Sequence, residues 1–306
     1  MIEYIYPKSR EEWLAERAKG IGSSEVGAVM GVSGFDTPYT VWLRKTGRVL
    51  PSAESPLMKI GHVFEGGVAA LFADATGAVI DDATAADFLC VNDAEPFARA
   101  SPDRFAYMPG GGRIIVECKT TQKSVSGDAL PFSWFAQVQY QMYCAGMDRA
   151  AIAWLSRGRD FGFEFVGKDD AFTAYMLDVL REFWSKSIVG DEPPAPISNA
   201  DAIARYPVGG AGAVEADAET AAALSALRAA RQRMKEAEAE ADDAEATIRA
   251  FMGDRDILTV GGDVVVTWKA TKPRETLDSA ALKKAEPEIF AKFARTGAAS
   301  RRFIVK

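Results

Sequence analysis

An unbroken apolar run from Ile114 to Val116 follows the triple glycine Gly110–Gly112, and it constrains the fold more than any other segment. A strand with one face in water alternates apolar and polar residues, whereas a continuous apolar run is typical of a strand covered on both faces. The run leads into Glu117-Cys118-Lys119, so the predicted strand covers Arg113 to Lys119. We therefore predict an α/β domain in which helices cover both faces of a central sheet.

Periodicity and turn signals predict the other elements of this domain. A loop from Gly20 to Gly22 leads into a helix for which Ser23 or Ser24 is a suitable N-cap. A short extended segment, Phe97 to Ala100, precedes Asp103. Apolar stripes and a Ser-Arg-Gly-Arg turn predict helices over 38–45, 56–75, 133–145 and 169–187, and paired strands over 151–155 and 161–166.

The composition changes at Gly190, and this change divides the chain. Segments rich in proline and glycine predict a linker over residues 191–212. We therefore predict one domain over residues 1–190 and a C-terminal α+β region over residues 213–306. In that region we expect a long helix over about 215–252, a β-hairpin around Gly261-Gly262 and a final helix over about 279–293.

The long helix carries a seam of apolar residues in alternating steps of three and four. Such spacing is typical of a coiled coil, and alanine lets a second helix approach closely. The seam can pack within the chain, join subunits or dock a partner, and we favour packing within the chain. Its members are Leu227, Ala230, Met234, Ala237, Ala241, Ala244, Ile248 and Phe251.

Composition excludes several classes of function. The net charge of −7 argues against a general nucleic-acid coat, although a DNA enzyme needs positive potential only along its cleft. Cys90, Cys118 and Cys144 are too far apart in sequence for a zinc or iron–sulfur motif. A Ser-His-Asp triad would need the single histidine, His62, and no Gly-x-Ser-x-Gly elbow accompanies it.

Two carboxylates and a lysine form the group of residues that suggests a catalytic site. Glu117 and Lys119 stand at i and i+2 on the predicted strand and therefore project from one face, with Cys118 turned away. Asp103 reaches the same end of the sheet if its strand pairs through the glycine turn. Carboxylate oxygens suit a hard cation such as Mg²⁺, and a nearby lysine can position a water or stabilise charge on a phosphate. Because this spacing also arises by chance, surface ion pairs are the alternative.

Five segments occur in an informative order: Arg17–Val26, Gly61–Glu65, Ser101–Asp103, Val116–Lys119 and Ala136–Tyr140. With them the sequence resembles the lambda-exonuclease, or YqaJ-type viral recombinase, family of the PD-(D/E)xK nuclease superfamily. The resemblance covers roughly residues 13–184. It implies a restriction-endonuclease-like fold, a central mixed sheet flanked by helices, to which the C-terminal region is an appendage.

The resemblance implies a metal site and its chemistry. Asp103, Glu117, the backbone carbonyl of Cys118 and Glu65 would ligate Mg²⁺, for which Mn²⁺ can substitute. Lys119 would act on the attacking water.

Further roles follow from the same resemblance. Gln137 would line the active site, and Arg17 and Ser24 would bind the 5′-phosphate of DNA, which agrees with the affinity of a guanidinium and a helix N-terminus for anions. Gln139 and Tyr143 are one helical turn apart and resemble the Gln-x-x-x-Tyr pattern of related nucleases. Gln137 and Gln139 point to different faces of their helix, so we expect one of them at the metal site and favour Gln137.

His62 stands three residues before Glu65, on the same helical face. Some members of the superfamily use a histidine ligand near this point, so metal ligation is one interpretation. A role on the surface or behind the ligands is the favoured one.

Three functions compete. The favoured one is a Mg²⁺-dependent 5′→3′ double-strand DNA exonuclease of phage-type recombination, which generates 3′ single-strand overhangs by phosphodiester hydrolysis. The alternative enzyme is an endonuclease of the restriction or junction-cutting type, which needs no 5′-end pocket. A DNA-binding scaffold without catalysis is disfavoured by the intact set of Asp103, Glu117 and Lys119.

The resemblance also implies partners and a location. We expect double-stranded DNA with a free end as substrate and a single-strand annealing protein as partner. The trimer of the family is the implied homo-oligomer, although the region after Gly190 leaves the assembly open. Since no apolar run of about 18 residues and no signal-peptide core is present, we expect a cytoplasmic protein. The resemblance implies a bacterial host cell and a phage or prophage gene.

Overall fold

The computed structural model describes residues 1–49, 55–81, 88–125, 130–210, 212–295 and 301–305. The chain divides into two compact units, Met1–Arg205 and Tyr206–Lys306. In the first unit, Asp201 is buried and accepts a hydrogen bond from Thr37 Oγ1 at 2.8 Å. The domain boundaries predicted at residues 190 and 213 remain predictions. Among the described residues, no helix is both long and apolar enough to cross a membrane.

Over the described residues, the strands of the first unit form two sheets. The larger sheet has the order β2-β5-β6-β7-β8, in which β6 and β7 are parallel and the other pairs are antiparallel. It is the mixed central sheet that the sequence predicts. The smaller, antiparallel sheet has the order β1-β3-β4. The strands are β1 (Ile2–Ile5), β2 (Val79–Ile80), β3 (Leu89–Asn92), β4 (Arg99–Ala100), β5 (Arg104–Tyr107), β6 (Arg113–Thr121), β7 (Arg149–Ser156) and β8 (Asp160–Gly167).

The helices of the first unit follow the predicted periodicity closely. They are α1 (Arg10–Ala18), α2 (Ser23–Val29), α3 (Pro38–Lys45), α4 (Pro56–Thr76), α5 (Phe132–Ala145), α6 (Asp170–Glu182) and α7 (Asn199–Arg205). The predicted helix over 169–187 changes to a π-helical segment at Phe183–Val189. Helix α4 ends where Gly77 adopts φ +71°, a left-handed conformation that glycine takes without steric cost.

Strand β6 is covered on both faces, as its apolar run predicts. Ile115 belongs to the core that includes residues of α5, whereas Ile114 and Val116 belong to a second core with Val68 and Phe72 of α4. Alternate residues of a strand point to opposite faces, so α4 and α5 lie on opposite sides of the sheet. The side chains that follow Ile115 in the same register therefore face α5.

The second unit contains the predicted long helix and hairpin. Its elements are α8 (Ala218–Met252), β9 (Ile257–Val260), β10 (Asp263–Thr267), α9 (Ser279–Ala285) and α10 (Pro287–Phe293). The single final helix that the sequence predicts over 279–293 is wrong, because the chain leaves helical geometry at Glu286 before Pro287.

The heptad seam of α8 is largely open to solvent. Met234 is 62% exposed and Phe251 is 80% exposed, and Met252 is the buried residue that α8 contributes. The preference for packing of the seam within the chain is therefore wrong for Met234 and Phe251.

Candidate active site

Strand β6 brings Glu117 and Lys119 together on the face toward α5. Lys119 Nζ donates to Glu117 Oε1 at 2.6 Å, and Glu117 is only 2% exposed. Cys118 points to the opposite face and packs in the core beneath α4. The alternation of side chains along β6 thus buries a carboxylate and an ammonium group as a pair.

The antiparallel pairing of β5 with β6 brings Asp103 to the same place. Arg104 pairs with Val116, and Asp103, one residue earlier, accepts a hydrogen bond from the backbone N–H of Cys118 through Oδ2 at 2.7 Å. The connection runs through Gly110, Gly111 and Gly112, which all have φ between +86° and +99°. The carboxylate therefore lies at the expected end of the sheet, but the strand that pairs through the glycine turn is β5, which follows Asp103. The predicted extended segment before Asp103 contains β4, which pairs with β3 in the smaller sheet, so the expected pairing of that segment with β6 is wrong.

Helix α5 supplies two amides that bind both oxygens of Glu117. Gln137 Nε2 donates to Glu117 Oε1 at 2.6 Å, and Gln137 Oε1 accepts from Lys119 Nζ at 2.8 Å. Gln141 Nε2 donates to Glu117 Oε2 at 2.6 Å. Because Gln137 and Gln141 stand at i and i+4, one face of α5 holds the carboxylate from two successive turns.

The structure does not bring Gln139 and Tyr143 to this cluster. Gln139 is fully buried and joins other elements: its Oε1 accepts from Asp169 N at 2.9 Å, and its Nε2 donates to the carbonyl of Gly167 at 2.8 Å. Burial raises the pKa of Tyr143, and the charge of Glu95 raises it further. Of Gln137 and Gln139, Gln137 is the one that lies beside Glu117.

Helix α4 adds Glu65, which is half-buried near the same charges. Burial raises the pKa of Glu65, and the charge of Glu117 raises it further, whereas His62, Arg104 and Lys119 lower it. His62 itself is exposed. Arg104 is a cation that the sequence reasoning missed, although its position directly after Asp103 is the signal that could have drawn attention to it.

Burial and neighbouring charges shift the pKa values of Asp103 and Lys119. Burial raises the pKa of Asp103 well above its usual value, and the charges of Glu117 and Glu65 add to this, while Lys119 opposes it. Burial lowers the pKa of Lys119, but the charges of Glu117 and Asp103 outweigh burial and raise it overall. Lys119 is therefore held as a cation, which suits a donor rather than a base.

A second group of polar side chains surrounds the start of α2. Arg17 Nη2 donates to Ser24 Oγ at 2.6 Å. Ser23 and Ser24 lie inside the first turn, so the predicted serine N-cap is wrong. The N-cap is Gly22, whose N–H donates to Glu25 Oε2 at 2.7 Å, and Lys45 Nζ also contacts Glu25 Oε2, at 2.8 Å.

Comparison with known proteins identifies the family of this segment. Residues 12–148 match the family model of the YqaJ-like viral recombinase domain. The chain is also 28% identical over 301 residues to the uncharacterized protein YqaJ of Bacillus subtilis strain 168, a match that covers 93% of this chain and 90% of that protein. Residues 12–148 are a YqaJ-like viral recombinase domain.

Two solved structures are more distantly similar to the chain. LHK-Exo, an alkaline exonuclease from Laribacter hongkongensis, is 21% identical with a TM-score of 0.45, and the match covers 59% of this chain and 93% of that one. A phage-related exonuclease from Haemophilus somnus 129PT is 11% identical with a TM-score of 0.41, covering 56% of this chain and 96% of that one.

The YqaJ-like domain contains a residue that the sequence reasoning missed. Gln141 is fully buried, and besides Glu117 its Nε2 reaches Ser23 Oγ at 3.4 Å. Ser23 precedes Ser24, so Gln141 connects the acidic cluster to the start of α2. The signal was present in the sequence, because Gln141 is one helical turn after Gln137 and shares its face.

The donor chemistry of the YqaJ-like domain fits a hard divalent cation. Asp103, Glu117 and Glu65 offer carboxylate oxygens. Burial, and after it the charge of the neighbouring carboxylates, raises the pKa of Asp103 and Glu65. In the part of the chain that the structure describes, however, no group of three or more His, Cys, Asp and Glu residues is arranged to hold a metal ion. Both carboxylate oxygens of Glu117 accept hydrogen bonds, Oε1 from Lys119 and Gln137 and Oε2 from Gln141.

Proposed function

We propose that the YqaJ-like domain is a Mg²⁺-dependent exonuclease that degrades double-stranded DNA from the 5′ end and leaves a 3′ single strand for recombination. The observation that carries the proposal is the contact of Lys119 Nζ with both Glu117 Oε1 and Gln137 Oε1, beside Asp103. Two buried acidic groups next to a cation are costly unless they serve a purpose. The match to the YqaJ-like viral recombinase domain supports the role in recombination.

The metal-binding residues in this proposal are Asp103, Glu117, the Cys118 carbonyl and Glu65. A bound Mg²⁺ or Mn²⁺ supplies Lewis-acid polarisation of the phosphate and lowers the pKa of water. The chain contributes orientation: the Cys118 N–H fixes Oδ2 of Asp103, and Gln137 and Gln141 fix the two oxygens of Glu117. Oriented ligands do not have to reorganise when the substrate binds.

Lys119 acts as a cation in this scheme. In the metal-free site the charges of Glu117 and Asp103 raise its pKa. Its ammonium group orients the attacking water or stabilises negative charge that develops on the phosphate. The water forms a new P–O bond while the bond from phosphorus to the leaving oxygen breaks. The attacking water gives up a proton to surrounding water, and the leaving oxygen takes one up from surrounding water to become a hydroxyl.

The 5′-end preference rests on Arg17 and Ser24. Their side chains already touch, and a guanidinium with a hydroxyl in the first turn of a helix offers several donors to a terminal phosphate. Gln141 connects this region to Glu117 through Ser23. A strand whose terminal phosphate contacts Arg17 would thus lie close to the acidic cluster.

The decisive experiment uses linear duplex DNA that carries a label at either the 5′ or the 3′ end, with Mg²⁺. We expect the 5′ label to leave first as mononucleotides, while the 3′ label stays in long single strands. Early loss of the 3′ label would contradict the polarity. Cutting of a covalently closed circle would favour the endonuclease alternative, and no Mg²⁺- or Mn²⁺-dependent release from any duplex would indicate a non-catalytic scaffold.

A further inference from the structure

The apolar seam of α8 has a stretch that is free for another helix. Leu227 and Ala230 are half-buried, whereas the seam from Met234 to Ala244 is exposed. Beyond Ala244, Ile248 lines a groove together with Val266 of β10 and with Trp268, the residue that follows β10. The stretch available to an occupant is therefore fully exposed from Met234 to Ala244 and partly exposed at Leu227 and Ala230.

The charges of α8 are segregated along its length. Its middle begins with a basic block, Arg228, Arg231, Arg233 and Lys235, and continues with an acidic block, Glu236, Glu238, Glu240, Asp242, Asp243 and Glu245. Like charges one turn apart disfavour an isolated helix. A helix with the reverse order of charge is therefore the complementary occupant, and α8 of a second copy has that order when it runs antiparallel.

The seam has matching layers in the same antiparallel arrangement. With Met234 opposite Ala237 of the second copy, Ala230 faces Ala241 and Leu227 faces Ala244. Each large side chain then meets an alanine, which lets two helices approach evenly along the whole contact.

The charged residues that flank the seam also lie beside opposite charges in this antiparallel arrangement. In an antiparallel pair, equivalent flanking positions of the two helices face each other across the seam. Arg231 then lies beside Glu238 of the second copy, and Arg233 lies beside Glu240. Within the described part of the chain, these four side chains form no salt bridge of their own, so each is available to the second copy.

A parallel pairing of two α8 helices is less favourable both for the layers of the seam and for the flanking charges. It would place Leu227 against Leu227 and Met234 against Met234, with only alanines filling the layers at 237, 241 and 244. It would also bring Glu240 beside Glu245 of the second copy, and like charges across a seam disfavour association.

We propose that α8 is a self-association surface, on which α8 of a second copy of this chain packs antiparallel over Leu227–Ala244. This surface links two YqaJ-like domains independently of DNA and of any catalytic activity. It adds a twofold contact outside the nuclease domain, so it is compatible with any assembly that the nuclease domain forms by itself.

Cysteine cross-linking of the full chain tests the geometry. We compare Ala230→Cys, Ala241→Cys and the two variants co-expressed, under mild oxidation. In the antiparallel pair, residue 230 lies opposite residue 241 but about 16 Å along the axis from the other residue 230, beyond the roughly 7 Å that a disulfide spans. We expect a cross-linked dimer from the mixture and none from either variant alone. A dimer from either single variant, or no dimer from the mixture, overturns the proposal.

Charge reversal tests the specificity. Arg231→Glu with Arg233→Glu should reduce cross-linking of the mixture by about tenfold or more, since acidic residues then face acidic residues. Adding Glu238→Arg and Glu240→Arg to the same chain should restore it. Gln232→Glu with Ala239→Glu, on the outer face of α8, is the matched control and should leave cross-linking unchanged. Equal losses in the reversed, restored and control chains would overturn the proposed pairing.

Discussion

Replacement of Gln141 by leucine tests whether Gln141 positions Glu117 for activity or only stabilises the fold. Gln141 is fully buried, and its Nε2 donates to Glu117 Oε2 at 2.6 Å. Its Oε1 is buried without a hydrogen-bond partner among the described residues. Gln141→Leu has a similar volume, so it removes one donor to a carboxylate and one unsatisfied acceptor with little change in packing.

The two energetic effects are opposite in sign and similar in size. Loss of a hydrogen bond to a charged group costs about 1.5–3 kcal/mol, while removal of a buried unsatisfied acceptor returns about 1–3 kcal/mol. The free energy of unfolding should therefore change by no more than about 2 kcal/mol in either direction. Residues that orient a metal ligand are typically worth about 10–100-fold in metal affinity or activity. We expect that loss in Mg²⁺-dependent nucleotide release from linear duplex DNA.

Gln139→Leu is the matched control on the same helix. Gln139 is equally buried, but it binds Asp169 N and the Gly167 carbonyl instead of Glu117. Its loss removes one hydrogen bond from each of those two backbone groups. At about 0.5–1.5 kcal/mol for each bond, the free energy of unfolding should fall by about 1–3 kcal/mol, while folded protein keeps its activity. Chemical denaturation and turnover per folded molecule measure both quantities. If Gln141→Leu retains full activity, or if both variants lose activity and stability together, the positioning role is refuted.

Three further predictions concern the cluster and the 5′ end. Lys119→Met should reduce turnover by about a hundredfold or more, as loss of one charge-stabilising donor does. The rise in melting temperature caused by Mg²⁺ should persist in this variant. Unchanged turnover would contradict the cationic role of Lys119. Because burial and the charge of Glu117 raise the pKa of Asp103, the protonated form stabilises the metal-free fold and this stability is lost as pH rises through the raised pKa. Asp103→Asn should therefore raise the metal-free melting temperature at pH 8 relative to the unsubstituted chain and abolish the stabilisation by Mg²⁺, and melting curves with and without Mg²⁺ check both. Arg17→Ala should weaken activity on 5′-phosphorylated ends by about 10–100-fold, the value of a charge-assisted hydrogen bond, and far less on 5′-hydroxyl ends; equal losses on both would remove the phosphate role.

Local patterns determined much of the first unit. The run at Ile114–Val116 predicted a strand covered on both faces, and the alternation after it placed Glu117 and Lys119 on one face. These predictions succeed because side-chain direction along a strand has a fixed period of two. The helical periodicity that placed α3 and α4 is equally local.

Tertiary structure decided which partners those side chains meet. The hydrogen bonds from Gln141 to Glu117 and Ser23 join three elements that are far apart in sequence. The pKa shifts of Asp103 and Lys119 likewise depend on burial and on charges from other strands and helices. Periodicity gives the face of an element, but the depth of burial and the identity of the facing residue depend on how elements pack, and packing is a property of the whole fold.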